Sequence, residues 1–216
     1  MVGVVDEGIG LANSARMYDY LLGGAQNFAV DREAVHAALA RFPHLARSAQ
    51  ANRAFLRRVV RYCLTELGIT QFLDLGSGVP TVGNVHEVAH ALDPTARLVY
   101  VDHEPVAVAV ARRLLADTHT VAVLQADLTD PATVLASAEV ADTLDLTAPV
   151  AVLVLSVLRF VPDTANPAGA IATYLDALAP GSALALSHIS DDQPTEAESE
   201  KTGPGVRSSR RRSTKA

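Results

Sequence analysis

The chain of 216 residues has a single cysteine, Cys63. That excludes an internal disulfide framework and any multi-cysteine metal site. Cys63 falls within a predicted helix, where a buried, inert thiol is the expected reading. The first ten residues hold no basic cluster, and Asp6-Glu7 interrupts their apolar positions, so no signal peptide is expected. Long hydrophobic runs are also lacking. The longest, from Ala148 to Leu158, is too short to span a bilayer and suits a buried strand. A soluble, cytoplasmic protein without membrane attachment is the expectation. Internal repeats are missing, as is any G-x-S-x-G nucleophile elbow.

Positive charge is scarce through most of the chain. Six of the 18 basic residues (Lys201, Arg207, Arg210, Arg211, Arg212 and Lys215) lie in the last sixteen positions, which hold no acid. The preceding 200 residues therefore carry 12 basic against 24 acidic side chains. So acidic a body argues against nucleic acid as a partner. The basic tail lacks aromatics and reads as solvated chain.

What remains is the composition of one globular domain, 49% hydrophobic and 19% charged. Three regions separate by pattern. Residues 1–70 form an N-terminal helical cap segment, with helices predicted over Ser14–Leu22, Asp31–Ala40 and Ser48–Leu67. The last shows Phe55, Leu56, Val59, Val60, Cys63, Leu64 and Leu67 along one face. Residues 71–190 alternate strands and helices. The predicted strands are Gln71–Leu75, Arg97–Val101, Thr120–Leu124, Val150–Leu155 and Ala183–Ser187. Asp130-Pro131 and Asn166-Pro167 each put a capping side chain before proline at a first helical position. Buried strands joined by helix-length connections form right-handed crossovers, hence a Rossmann-like, doubly wound α/β fold with a mostly parallel sheet. Residues 191–216 lose the apolar pattern and are expected to be disordered.

Ligands of such sheets bind beyond the carboxyl ends of the strands. The first strand runs into Asp74-Leu75-Gly76-Ser77-Gly78, where two glycines permit a tight turn and close approach of a ligand. A plain βα turn is the alternative. A dinucleotide fingerprint would need a small third residue at Thr81. Asp74 would repel a pyrophosphate, but suits the cationic S-adenosylmethionine, which carries an ammonium and a sulfonium. Asp102 ends the second strand, placed to accept from ribose hydroxyls of either S-adenosylmethionine or NAD, with His103 beside it. Asp127, followed by Leu128 after the third strand, could accept from an adenine amino group or simply cap its turn.

His86-Glu87-Val88-Ala89-His90 matches the H-E-x-x-H zinc pattern. Asp93 and Ala96 occupy the places where its extended form has glycine and histidine, so a zinc hydrolase is the weaker reading and no metal is expected.

The motifs together resemble the S-adenosyl methyltransferase family long catalogued as a domain of unknown function. The similarity covers about Ser14 to His188. It is carried by Ala15-Arg16-Met17-Tyr18-Asp19-Tyr20-Leu21-Leu22-Gly23-Gly24, by Asn27-Phe28 with Asp31-Arg32, and by Ala51-Asn52-Arg53-Ala54-Phe55-Leu56. Phe72 to Thr81, Asn84 to Ala89, Val99 to Asp102, Phe160 to Asp163 and Leu186-Ser187-His188 complete it. The resemblance implies a class I methyltransferase domain acting on an unidentified, small-molecule substrate. It places Asp74, Gly76, Gly78, Asp102, Asp127 and Ser156 around S-adenosylmethionine, with Arg16, Tyr18, Asn27 and Phe28 closing the pocket. Tyr18, Asp19 and His188 are the candidates for a base. Two departures are Arg159, where the family favours histidine, and a chain that looks truncated or altered after the fifth strand. The latter predicts a missing last hairpin and leaves a non-catalytic S-adenosylmethionine binder, or an enzyme remnant, as an alternative. An NAD(P)-dependent oxidoreductase is the remaining one.

Overall fold

The computed structural model describes residues 10–80 and 83–189. Three helices come first: α1 (Ser14–Leu21), α2 (Ala29–Arg41) and α3 (Leu45–Thr65). Asn13 caps α1 by accepting from the amides of Ala15 and Arg16 at 2.8 and 3.3 Å. The alternating part follows as β1 (Gln71–Leu75), α4 (Val85–His90), β2 (Arg97–Asp102), α5 (Pro105–Leu114) and β3 (Val121–Gln125). It continues through α6 (Pro131–Leu135), α7 (Ala138–Thr143), β4 (Ala151–Leu155), α8 (Pro167–Asp176) and β5 (Ala183–Ser187). The expected caps form: the side chain of Asp130 accepts from the Thr133 amide and that of Asn166 from the Gly169 amide.

The five strands make one sheet in the order β3-β2-β1-β4-β5, and every pairing is parallel. The chain winds outward from β1 to β3, then returns to lay β4 against the other side of β1. That reversal puts the topological switch point between β1 and β4, where a doubly wound sheet opens a crevice at its carboxyl edge.

Side chains alternate across the sheet. Phe72, Leu98, Tyr100 and Leu153 pack on one face under Leu56, Val60 and Cys63 of α3 with Val85 of α4. Leu73, Val99, Val101 and Val152 pack on the other under Val134, Val140, Ile171 and Tyr174. Cys63 is buried, as expected, and burial pushes its thiol pKa up. Asp74 lies on the face covered by α3, because it follows Phe72 by two residues. Among the described residues β5 pairs only with β4, and its Leu184 and Leu186 are exposed. The expectations of a disordered tail over residues 191–216 and of a missing last hairpin lie outside the described residues, as does Thr81. No helix among the described residues is long and apolar enough to cross a membrane.

Candidate functional site

A cavity of about 460 Å³ opens at the switch point. It is lined by the glycine turn after β1, the ends of β2, β4 and β5, and by α1 and α3 lying across them. That volume is within the ordinary range for a small-molecule site.

The glycine turn is fixed in shape. Gly76 and Gly78 have φ of +73° and +66°, a region that L side chains rarely adopt. A Cβ on Gly76 would also lie 2.2 Å from a methyl of Val157, so the turn and the segment after β4 touch without a gap. The amides of Gly76 and Ser77 both donate to the Val101 carbonyl, at 2.8 and 3.1 Å. Asp102 completes the turn. One carboxylate oxygen accepts from the Gly78 amide at 2.7 Å, the other from the Glu104 amide at 2.9 Å. Asp102 is only 9% exposed, and each oxygen keeps a further lone pair for a ligand.

Asp74 stands at the end of β1 and is 6% exposed. Burial raises its pKa to about 7; the Arg53 guanidinium pulls it down and the Asp102 carboxylate pushes it up. Among the described residues no donor bonds to it. Arg53, at 7% exposure, donates to Asn84 Oδ1 at 2.5 Å and lies over the Tyr18 ring. The Asn84 Nδ2 group is buried at the cavity wall and has no hydrogen-bond partner among the described residues.

A belt of hydrogen bonds closes the cavity on the far side. Tyr18 donates its hydroxyl proton to the Ala49 carbonyl and accepts from Asn52 Nδ2 at 2.9 Å. Asn52 Oδ1 accepts from the Ser187 hydroxyl at 2.5 Å, tying α1 and α3 to β5. Ser156, with φ of 59°, turns the chain at the end of β4, and its amide donates to the Ser187 carbonyl.

Of the residues singled out from sequence, the cavity brings together Tyr18, Asp74, Gly76, Gly78, Asp102, His103 and Ser156. It does not reach Arg16, Asn27, Phe28, Asp127 or Leu128. Arg16 is buried in an ion pair with Asp31 at 2.7 Å and lies over the Phe28 ring. Asp31 also accepts from the amides of Asn13 and Phe28. Burial works against its charge, but these bonds outweigh it and lower its pKa. Asn27 donates to Asp19, whose carboxyl burial pushes up despite that bond. Gly24 has no room for a Cβ beside Asp19, which explains in packing terms why glycine stands at that position. Asp127 is exposed and binds the amide and hydroxyl of Thr129, while Leu128 is core. Sequence reasoning named no role for Asn52, Arg53, Asn84 or Ser187. The available signal was polar residues inside the buried face of α3.

The histidines of the H-E-x-x-H run serve the sheet. His86 Nδ1 shares a hydrogen bond with the Tyr100 hydroxyl at 2.8 Å, and burial lowers its pKa. His90 Nε2 lies 3.0 Å from both the Ala96 carbonyl and the Thr120 hydroxyl. No group of three or more metal-ligating side chains is found among the described residues.

With that geometry in view, a family model described as S-adenosyl methyltransferase matches residues 8–214. The match runs past His188, the limit set by the motifs alone. A DUF574 family protein from Streptomyces avermitilis MA-4680 is similar in structure, with a TM-score of 0.77 and 41% identity over 82% of this chain and 68% of that one. A protein from Thermobifida fusca YX, provisionally named a methyltransferase, aligns with a TM-score of 0.78 and 40% identity over 89% of this chain and 72% of its own. Among curated proteins none matches the sequence.

Proposed function

We propose that this chain, which belongs to the S-adenosyl methyltransferase family, holds S-adenosylmethionine in the cavity between the β1 glycine turn and α3. As a member it is an S-adenosylmethionine-dependent methyltransferase, and the residue roles that follow are our reading. The observation that carries it is the buried carboxylate of Asp74, which stands directly before the glycine turn, with Asp102 bonded to the far end of that turn. A carboxylate at Asp74 opposes a pyrophosphate and favours a ligand that brings positive charge, while Asp102 suits the ribose of either kind of ligand.

The residues present fit that ligand. Asp74 would receive the α-ammonium, whose charge favours the ionised carboxylate. Asn84 Nδ2, a buried donor without an acceptor among the described residues, would meet the α-carboxylate, with Arg53 behind it. Asp102 would accept from the ribose hydroxyls, and His103 would flank the adenosine. The positive φ of Gly76 and Gly78 would hold the turn in the shape that lines the ligand, with Ser156 at the end of β4 beside it.

When bound, S-adenosylmethionine supplies an electrophilic methyl on a sulfonium with a neutral leaving group. The protein's part is to align the acceptor and exclude water. The Tyr18–Asn52–Ser187 belt supports that role, since it holds α1 and α3 across the opening. On this reading helices α1–α3 act as a cap on the Rossmann-like part, and the site operates in the cytoplasm on a small molecule.

Calorimetric titration of cofactor-stripped protein with S-adenosylhomocysteine and with NAD tests the reading. Saturable binding of the first and none of the second is expected, with Asp102→Ala weakening it by about 1.5–3 kcal/mol, the scale of hydrogen bonds to a charged group. Tight NAD binding without a response to S-adenosylhomocysteine would overturn it.

A further inference from the structure

The lining of the cavity is divided by charge. Its carboxylates, Asp74, Asp102 and Glu104, all stand at the mouths of β1 and β2. Around the mouths of β4 and β5 the described lining holds no acid; Arg159 and His188 stand there with Phe160 and Ile189. Neighbouring strands lie about 4.8 Å apart, so with β4 between them the ends of β1 and β5 are about 10 Å apart. The acidic and the acid-free parts of the lining are therefore set apart along the sheet edge.

The turn that carries Arg159 is anchored on both sides. Ser156 is bonded to β5 through the Ser187 carbonyl, and Val157 presses on Gly76. The short 3₁₀ turn Leu158–Phe160 then presents the guanidinium over the Phe160 ring, 4.6 Å from its centroid. Among the described residues no carboxylate lies within ion-pair distance of Arg159. Phe160 and Ile189, 52% and 46% exposed, add apolar surface on the same side of the cavity.

Arg159 is exposed, and a guanidinium lying over an aromatic face keeps a planar donor fork that a carboxylate matches with two parallel bonds. The apolar neighbours would take up a carbon skeleton attached to it. We propose that the β4–β5 side of the cavity is the acceptor site, and that Arg159 selects a carboxylate-bearing small molecule with an apolar body lying over Phe160 and Ile189. The proposal rests on the reading of the β1–β2 side as the donor site, because the acids there leave this side to the acceptor.

The test is an NMR titration of isotope-labelled protein saturated with S-adenosylhomocysteine, using 3-phenylpropanoate and its neutral analogue 3-phenylpropanamide as probes. The carboxylate should bind about ten-fold more tightly than the amide, the scale of a charge-assisted hydrogen bond. Arg159→Gln should erase that preference and Arg159→Lys should keep part of it. Affinity for S-adenosylhomocysteine, read separately by calorimetry, should stay the same in both variants. Equal binding of the two probes, no perturbation by either, or a preference that survives Arg159→Gln would overturn the acceptor proposal alone. Failure of the unaltered protein to bind S-adenosylhomocysteine would overturn the donor site, and the acceptor site with it.

Discussion

Replacing Gly76 by alanine tests whether the turn is held by conformation, by contact, or by both. The backbone at Gly76 has φ of +73°, and an L residue held there costs about 1–2 kcal/mol. The new Cβ would also lie 2.2 Å from Val157 Cγ2 and 2.7 Å from its Cβ. Overpacking of that kind costs about 1–3 kcal/mol. The sum, about 2–5 kcal/mol, corresponds to a fall in Tm on the order of 10 °C for a chain of this size. Gly78→Ala is the internal control. Its φ is +66°, but the added Cβ would meet Ala15 at 3.6 Å, an ordinary contact. Only the conformational cost of about 1–2 kcal/mol should appear. Val157→Gly removes both clashing atoms, so a double-mutant cycle with Gly76→Ala should show a favourable coupling of about 1–3 kcal/mol. Thermal unfolding by circular dichroism, with and without S-adenosylhomocysteine, reads the unaltered protein and all four variants. Equal losses for Gly76→Ala and Gly78→Ala, or no coupling with Val157→Gly, would refute the reasoning.

Asp74 should make ligand binding pH-dependent. Its pKa is about 7 in the free protein, and an ammonium ligand favours the ionised form. Affinity for S-adenosylhomocysteine should therefore rise as pH increases toward about 7 and level off above it. Calorimetry in buffers of different ionisation enthalpy should show proton release in that range, and Asp74→Asn should flatten the profile. Without ligand the sign reverses for stability. Between pH 3.8 and about 7 the native state holds a proton the unfolded chain has lost, so this group's contribution falls as pH rises through the window. Arg16→Ala leaves Asp31 buried without its partner and should cost about 3–5 kcal/mol in chemical denaturation; a loss below about 1 kcal/mol would contradict the buried ion pair. His90→Ala should cost about 1 kcal/mol through the lost hydrogen bond of its Nε2, and leave S-adenosylhomocysteine affinity unchanged. Stoichiometric zinc that disappears in that variant would contradict the structural role given to His90.

Strand positions were legible because each apolar run ends at a polar or glycine break. The predicted β1 and β5 coincide with the observed ones, while β3 is shifted by one residue to Val121–Gln125. The start of α3 was misjudged by three residues, since His44 makes no side-chain cap to mark it. The glycine turn and the acids at the ends of β1 and β2 were readable as local pattern. The roles given to Arg16, Asn27 and Phe28 were not, because their partners are the carboxylates of Asp31 and Asp19. Sequence cannot say which acid a buried arginine finds. The Asn52–Ser187 bond joins positions 135 apart, and the Arg53–Asn84 bond depends on how α3 crosses the sheet. Neither carries a local signature. The H-E-x-x-H run shows the converse: a recognisable spacing whose side chains bond to Tyr100, Ala96 and Thr120 instead.

The most direct measurement is a crystal structure of the protein with S-adenosylhomocysteine. The ribose hydroxyls should lie within hydrogen-bond distance of Asp102, with the α-ammonium at Asp74 and the α-carboxylate at Asn84 Nδ2. The thioether should point toward Ser156 and the β4–β5 side. A ligand bound outside this cavity, or lying in it with its ribose away from Asp102, would contradict the account.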